Sequence, residues 1–161
     1  MNLHFPHKSL DDVEMISIHK DSISHINSCI PIMPKVMWGL GGSQLPNGDL
    51  VVCGGVSGYG SYYPYLHYKE GSNEWTEVGT MKGARSHHSS VWIGGRLLTT
   101  GGANNSNKKT SHHEEFSFDG GWKERTEMPI ALYSHTATIF DQNKMIVCGG
   151  FNERNVSTIF S

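Results

Sequence analysis

The sequence holds no apolar run that approaches the roughly 18 residues a bilayer-spanning helix needs, so a transmembrane helix is not what organises it. Its opening segment, MNLHFPHKSLDD, has no apolar h-region and does not read as a secretory signal. Charge is scarce as well. Asp, Glu, Lys and Arg make up 17% of the chain, against about a quarter in ordinary proteins. The formal net charge is −2, which gives no reason to expect nucleic acid or an anionic membrane as partner. Cysteine is limited to Cys29, Cys53 and Cys148, an odd set without metal-ligand spacing. Reduced thiols in a cytoplasmic protein are the expectation. What the chain has in excess is glycine, 19 of 161 residues, or about 12% where about 7% is usual. Abundant glycine with little charge points to a turn-dense β-protein; a helical bundle would be rich in Ala, Glu, Lys and Leu. The length suits one domain around one core.

The glycines are periodic. Double glycines stand at Gly54–Gly55, Gly101–Gly102 and Gly149–Gly150, spaced 47 and 48 residues apart. Trp75 and Trp122 are 47 apart, and Met33, Met81 and Met128 are spaced 48 and 47. Such agreement marks an internal repeat. Leu50–Cys53, Leu97–Thr100 and Met145–Cys148 each run into a double glycine, as short buried strands do. Upstream lie Ser89–Ile93 and Thr136–Phe140, joined to them through Gly94-Gly95 and Asp141-Gln142-Asn143-Lys144; the first unit uses Pro46-Asn47-Gly48-Asp49. These are turn residues tolerant of positive φ. Tyr65–Tyr68 and Glu115–Phe118 read as third strands, and Trp75–Val78 and Trp122–Arg125 as fourth strands. Four antiparallel strands per 47 or 48 residues is one propeller blade. Gly55 to Tyr68 spans 13 residues and Tyr68 to Trp75 spans 7, whereas Gly102 to Phe118 spans 16 and Phe118 to Trp122 spans 4. This reading has loops of variable length on a frame of fixed size, the usual setting for a binding surface.

The order double Gly, aromatic (Tyr68, Phe118), Trp, Met, Arg and His resembles the Kelch repeat. The best-matched stretch carries Trp75, Met81, Arg85, His88, Gly101 and Gly102; the next keeps Trp122, Met128-Pro129, His135, Gly149 and Gly150 but has Leu132 where Arg85 stood. In the first unit Met33-Pro34 precedes Gly54 and Gly55, with Gly41 read in the His88 position. The resemblance implies an all-β, Kelch-type β-propeller, here about three four-stranded blades. Its repeats divide as 1–32, the end of a partial blade; 33–80; 81–127; and 128–161, incomplete. Val13–His19 and Ser24–Asn27 read as the last two strands of the partial blade, and Asn155–Phe160 as a third strand of the last. Physics gives the markers their work: the glycines allow close backbone approach, and each tryptophan or tyrosine wedged between blades buries about 150–250 Å².

Three blades alone leave exposed edges that invite further pairing. Three expectations stay open: a piece of a longer propeller, a homodimer of two half-rings closing six blades, or an open arc covered by another chain. Kelch propellers bind partners through loops at one face, commonly those after the double glycines. By position this implies Tyr59, Asn104, Asn105 and Arg154, together with His87 and Ser134 at the start of the next strand. The functional expectation is a protein–protein interaction module. In the family such modules act as the substrate-recognition part of a ubiquitin-ligase adaptor or as an actin-associated scaffold. The alternative is part of a galactose-oxidase-like or sugar-epimerase-like propeller enzyme, but the Tyr, Cys and His set of the oxidase cannot be located.

Catalysis has little support in the residues. Ser86-His87 and Ser134-His135 recur because the repeat recurs, and neither sits in a nucleophile elbow. Ten histidines are many, yet His87-His88 and His112-His113 are adjacent pairs whose members point to opposite faces of a strand. No His-x-x-x-His or Cys-x-x-Cys accompanies them. A structural hydrogen bond is the expectation for His88 and His135, and no catalytic residue, metal or cofactor is expected.

Overall fold

Short β-rich runs bounded by glycine turns cannot continue as helix, and the strands they form pair with their chain neighbours. The computed structural model describes residues 13, 15–20, 22–26, 30–57, 64–152 and 159–160. Among them there is no helix. A hairpin of β1 (Met15–His19) and β2 (Ser22–Ile26) forms a two-stranded sheet. The first four-stranded sheet comprises β3 (Gly41–Gln44), β4 (Leu50–Cys53), β5 (Pro64–Tyr68) and β6 (Trp75–Thr80). The second comprises β7 (Ser89–Ile93), β8 (Arg96–Thr100), β9 (His113–Ser117) and β10 (Gly121–Arg125). The third has β11 (Thr136–Asp141), β12 (Lys144–Cys148) and β13 (Ile159–Phe160). All pairings are antiparallel, in chain order. β7 lies against β3 on one side and β11 on the other. This arrangement fits the blades of a β-propeller.

Register corrects three details of the repeat. Gly41, Ser89 and Thr136 pair with Cys53, Thr100 and Cys148, the residues just before each double glycine. The position of His88 in the first repeat therefore belongs to Leu40, not Gly41, because the hairpin from Gly41 to Cys53 is one residue longer than that from Ser89 to Thr100. Phe116, not Phe118, pairs with Trp122, as Tyr68 pairs with Trp75. Phe118 has left the strand for the turn and is 49% exposed. The third strand is thus His113–Ser117, and the compensation between loops is a single residue. The second strand of the N-terminal hairpin runs Ser22–Ile26, ahead of the expected Ser24–Asn27.

The core lies between the first and second sheets. Leu45, Val51, Cys53 and Tyr65 of the first meet Met81, Leu97 and Phe116 of the second, with Trp92 and Trp122 packed against them. The ring of Tyr65 stands 4.1 Å from Phe116 and 5.6 Å from Trp122, edge-on to the latter. Trp122 is the wedge between sheets. Trp75 packs at a tilt against Tyr68 and donates its indole N–H to the Pro31 carbonyl at 2.9 Å.

Polar staples repeat at each junction. His88 Nε2 lies 3.5 Å from Cys53 Sγ, and His135 Nε2 lies 2.9 Å from Thr100 Oγ1. The N–H of Gly55 donates to Arg85 O, and that of Gly102 to Leu132 O, at 2.9 and 2.7 Å. The same junctions leave no room for a side chain at Gly54 or Gly101. A Cβ on Gly101, whose φ is +61°, would stand 2.5 Å from Leu132 O. Gly101→Ala is expected to cost more than about 2 kcal/mol, since left-handed strain alone is about 1–2 kcal/mol; chemical denaturation measures it.

Candidate functional site

Where the chain leaves each double glycine, the next residue bridges back to its own repeat: Val56 to Trp38, Ala103 to Ser86, Phe151 to Tyr133. The residues after Trp38, Ser86 and Tyr133 are Gly39, His87 and Ser134, with φ of +69°, +54° and +52°. Two of the three are not glycine, and left-handed backbone at such residues is uncommon. Each is fixed by its neighbour: the His87 N–H donates to Gly39 O and the Ser134 N–H to His87 O, both at 2.8 Å. A backbone ladder thus ties the three repeats together along one rim.

Beside this ladder opens a cleft of about 430 Å³ lined by Trp38, Val56, Ser86, His87, Ala103, Asn107, Lys109 and Tyr133. No carboxylate lines it. Lys109 is the cation, its Nζ 5.5 Å from the centre of the Tyr133 ring, within cation–π range. The loop that carries Lys109 is held by its own hydrogen bonds. Asn104 Oδ1 accepts from the N–H groups of Ser106 and Lys108, both at 3.0 Å. Asn104 and Lys108 join through the backbone at 2.9 Å, and Asn107 turns the chain with φ +56°. Such an Asn-anchored turn presents its lysine on a backbone that is already ordered.

The far side of the same loop makes a second cleft of about 320 Å³, lined by Gly83, Ala84, Arg85, Asn104, Asn105, Ser106, Thr110 and His112. Arg85 is locked at its base, 1% exposed and paired with the equally buried Glu114. Of the residues expected to bind, His87 lines the first cleft, and Asn104 and Asn105 line the second, on the other side of the loop. Ser134 is exposed on the ladder without lining either. Tyr59 and Arg154 lie outside the described residues. Trp38, Lys109 and Tyr133 were not singled out from sequence. Their signal was present, since Trp38, Ser86 and Tyr133 fall 48 and 47 residues apart, directly before the left-handed position.

The opposite end has a cleft of about 340 Å³ whose lining includes Arg96, His113, Glu115 and Arg125. There the Arg125 guanidinium, aided by Arg96 at 3.2 Å, holds the Glu115 carboxyl below its ordinary value. In that cleft both arginines are tied to one carboxylate, in contrast to the acid-free rim.

The Cys53–His88 contact is not an activated nucleophile. Burial pushes the thiol up to about 12 and the imidazole down to about 3, so both are neutral at ordinary pH. Among the described residues no three His, Cys, Asp or Glu side chains gather so as to hold a metal ion, and no helix is long and apolar enough to cross a membrane. No protein-family model matches the chain, and no curated protein does.

Proposed function

We propose that the chain is a non-catalytic protein-interaction module of Kelch-type propeller blades that grips an extended partner segment at the ladder rim. The observation that carries this reading is the acid-free, aromatic-lined cleft beside Lys109. Trp38 is 45% exposed there and free to cover an apolar side chain. The Lys109 ammonium and the amide of Asn107 suit a carboxylate placed next to it. Aromatic and cationic groups on a preformed frame are the usual anchors of an interface. The recurring Ser–His pairs serve the ladder and the staples, which leaves the histidines structural work. A role as the recognition part of a larger assembly fits the same cleft.

Screening a random peptide library on the immobilised chain is expected to enrich Asp or Glu beside an aromatic or aliphatic residue. Lys109→Glu and Trp38→Ala are each expected to weaken the selected peptides about tenfold, or about 1.4 kcal/mol. Peptides that bind equally well to both variants would place the contact elsewhere and overturn the reading.

A further inference from the structure

We propose that the second cleft is a neutral polar subsite for the same partner segment, taking an Asn or Gln side chain about three residues from the acid held by Lys109. The inference rests on the peptide-binding reading above. Its geometry begins with the loop between the two clefts. Ala103 bridges to Lys109, and the N–H of Asn104 donates to Lys108 O at 2.9 Å, so the loop is a short two-stranded prong. Lys109 lines the cleft on one side of it, and Asn104, Asn105, Ser106 and Thr110 line the cleft on the other. Paired strands lie about 4.8 Å apart, so a path over both, with their side chains, is about 10 Å, or three residues of extended chain at about 3.4 Å each. A segment anchored at Lys109 thus reaches the second cleft within one short peptide.

The chemistry of the second cleft differs from that of the first. Neither an aromatic ring nor a carboxylate lines it. Arg85 does, but its guanidinium is committed to Glu114, to His112 O at 3.0 Å and to Gly83 O at 3.4 Å. The other ionisable group, His112, has its Nε2 3.6 Å from a Glu127 carboxylate oxygen. A charged side chain would leave water here without gaining a free counter-ion. What remains open is neutral. The Asn105 side chain and the Ser106 hydroxyl have no partner among the described residues, and neither do the N–H and C=O of Ala84. Asn104 uses only its Oδ1, which leaves Nδ2 to donate. Thr110 Oγ1 accepts from the backbone N–H of His112 at 3.1 Å, which leaves its O–H to donate as well. Donors and acceptors thus stand together. A carboxamide carries both, two N–H donors and a carbonyl in one plane. An aliphatic side chain would cover these groups without pairing them.

Fluorescein-labelled, amidated octapeptides with a fixed Phe-Asp pair test this by anisotropy, each other position being set in turn to Gln, Leu, Glu or Lys. At one position about three residues from the Asp, Gln is expected to bind about tenfold tighter than the other three. Asn105→Leu and Thr110→Val are each expected to erase that preference while the Phe-Asp pair still binds, and Asn105→Gln to keep it. Asn105 is exposed and its side chain holds nothing in place, so its replacement leaves the fold intact. Lys108→Gln, which removes an exposed charge of the same loop and lines neither cleft, should leave the preference unchanged. Peptides that need Lys109 but show no such position would overturn this inference and leave the peptide-binding reading standing. A preference that survives both Asn105→Leu and Thr110→Val would overturn it too. Peptides that bind without Lys109, or not at all, would sink both.

Discussion

Glu114→Ala is expected to destabilise the chain by about 3–5 kcal/mol, a large part of the about 5–15 kcal/mol that holds a domain together. Its carboxylate and the Arg85 guanidinium are each 1% exposed. With Glu114 gone, Arg85 keeps only carbonyl acceptors, His112 O at 3.0 Å and Gly83 O at 3.4 Å, and a full charge stays buried. The first repeat shows how the position is filled without charge. Its equivalents are Met37 and Leu66, at 4% and 1% exposure. The double variant Arg85→Met with Glu114→Leu is therefore expected to recover most of the loss. It will not regain all of it, because the N–H groups of Lys82 and Gly83 lose their acceptor on Glu114, at about 1 kcal/mol each. Urea unfolding of the three proteins side by side is the measurement. A double variant as unstable as Glu114→Ala would mean that the backbone donors, not the stranded guanidinium, account for the damage.

Acid is expected to unfold this protein earlier than its carboxylates alone would dictate. Burial, reinforced by the positive Arg85, lowers the His88 imidazole from 6.5 to about 3. Burial likewise lowers His113 and His135. The Nδ1 atoms of His88 and His135 have no hydrogen-bond partner, so a proton placed there would find no acceptor. The unfolded chain takes up a proton near pH 6.5 that the folded chain refuses until far lower. From these groups stability is thus flat between about pH 7 and 8 and falls below that, by about 1.4 kcal/mol per pH unit for each fully refused proton. His88 alone accounts for about 3 kcal/mol by pH 4.5 on that slope. Asp49 and Glu115, both lowered, push the same way only at still lower pH. His88→Leu, copying Leu40, should flatten the decline between about pH 6.5 and 4.5. An unchanged pH profile in that variant would show that His88 is charged in the folded state.

The repeat was legible because its markers are local requirements. A double glycine after an apolar run, a turn of Asn-Gly or Gly-Gly, and a tryptophan at fixed distance each follow from what one strand or turn tolerates. Counting along the chain was enough to find them. It misplaced Phe118 and Gly41, since one residue gained in a turn shifts every alignment beyond it, and only hydrogen-bond register shows where the gain lies. Arg85 stood in the sequence as a repeat marker, with Glu114 not singled out as its partner. Nothing local says that two opposite charges 29 residues apart will close on each other in the interior.

The cleft beside the ladder was half visible. Periodicity pointed to His87, Asn104 and Asn105, because they stand next to the repeat markers. Trp38, Lys109 and Tyr133 meet in one cleft only because sheets from three repeats stack side by side, and the lysine is aimed by an asparagine turn whose hydrogen bonds no pattern of residue types announces. The sequence by itself determined the all-β class, the length of the repeat and the strands within it, since those depend on neighbours in the chain. Tertiary structure decided the cleft and the buried ion pair, since those depend on which backbone and side chains meet across the space between sheets.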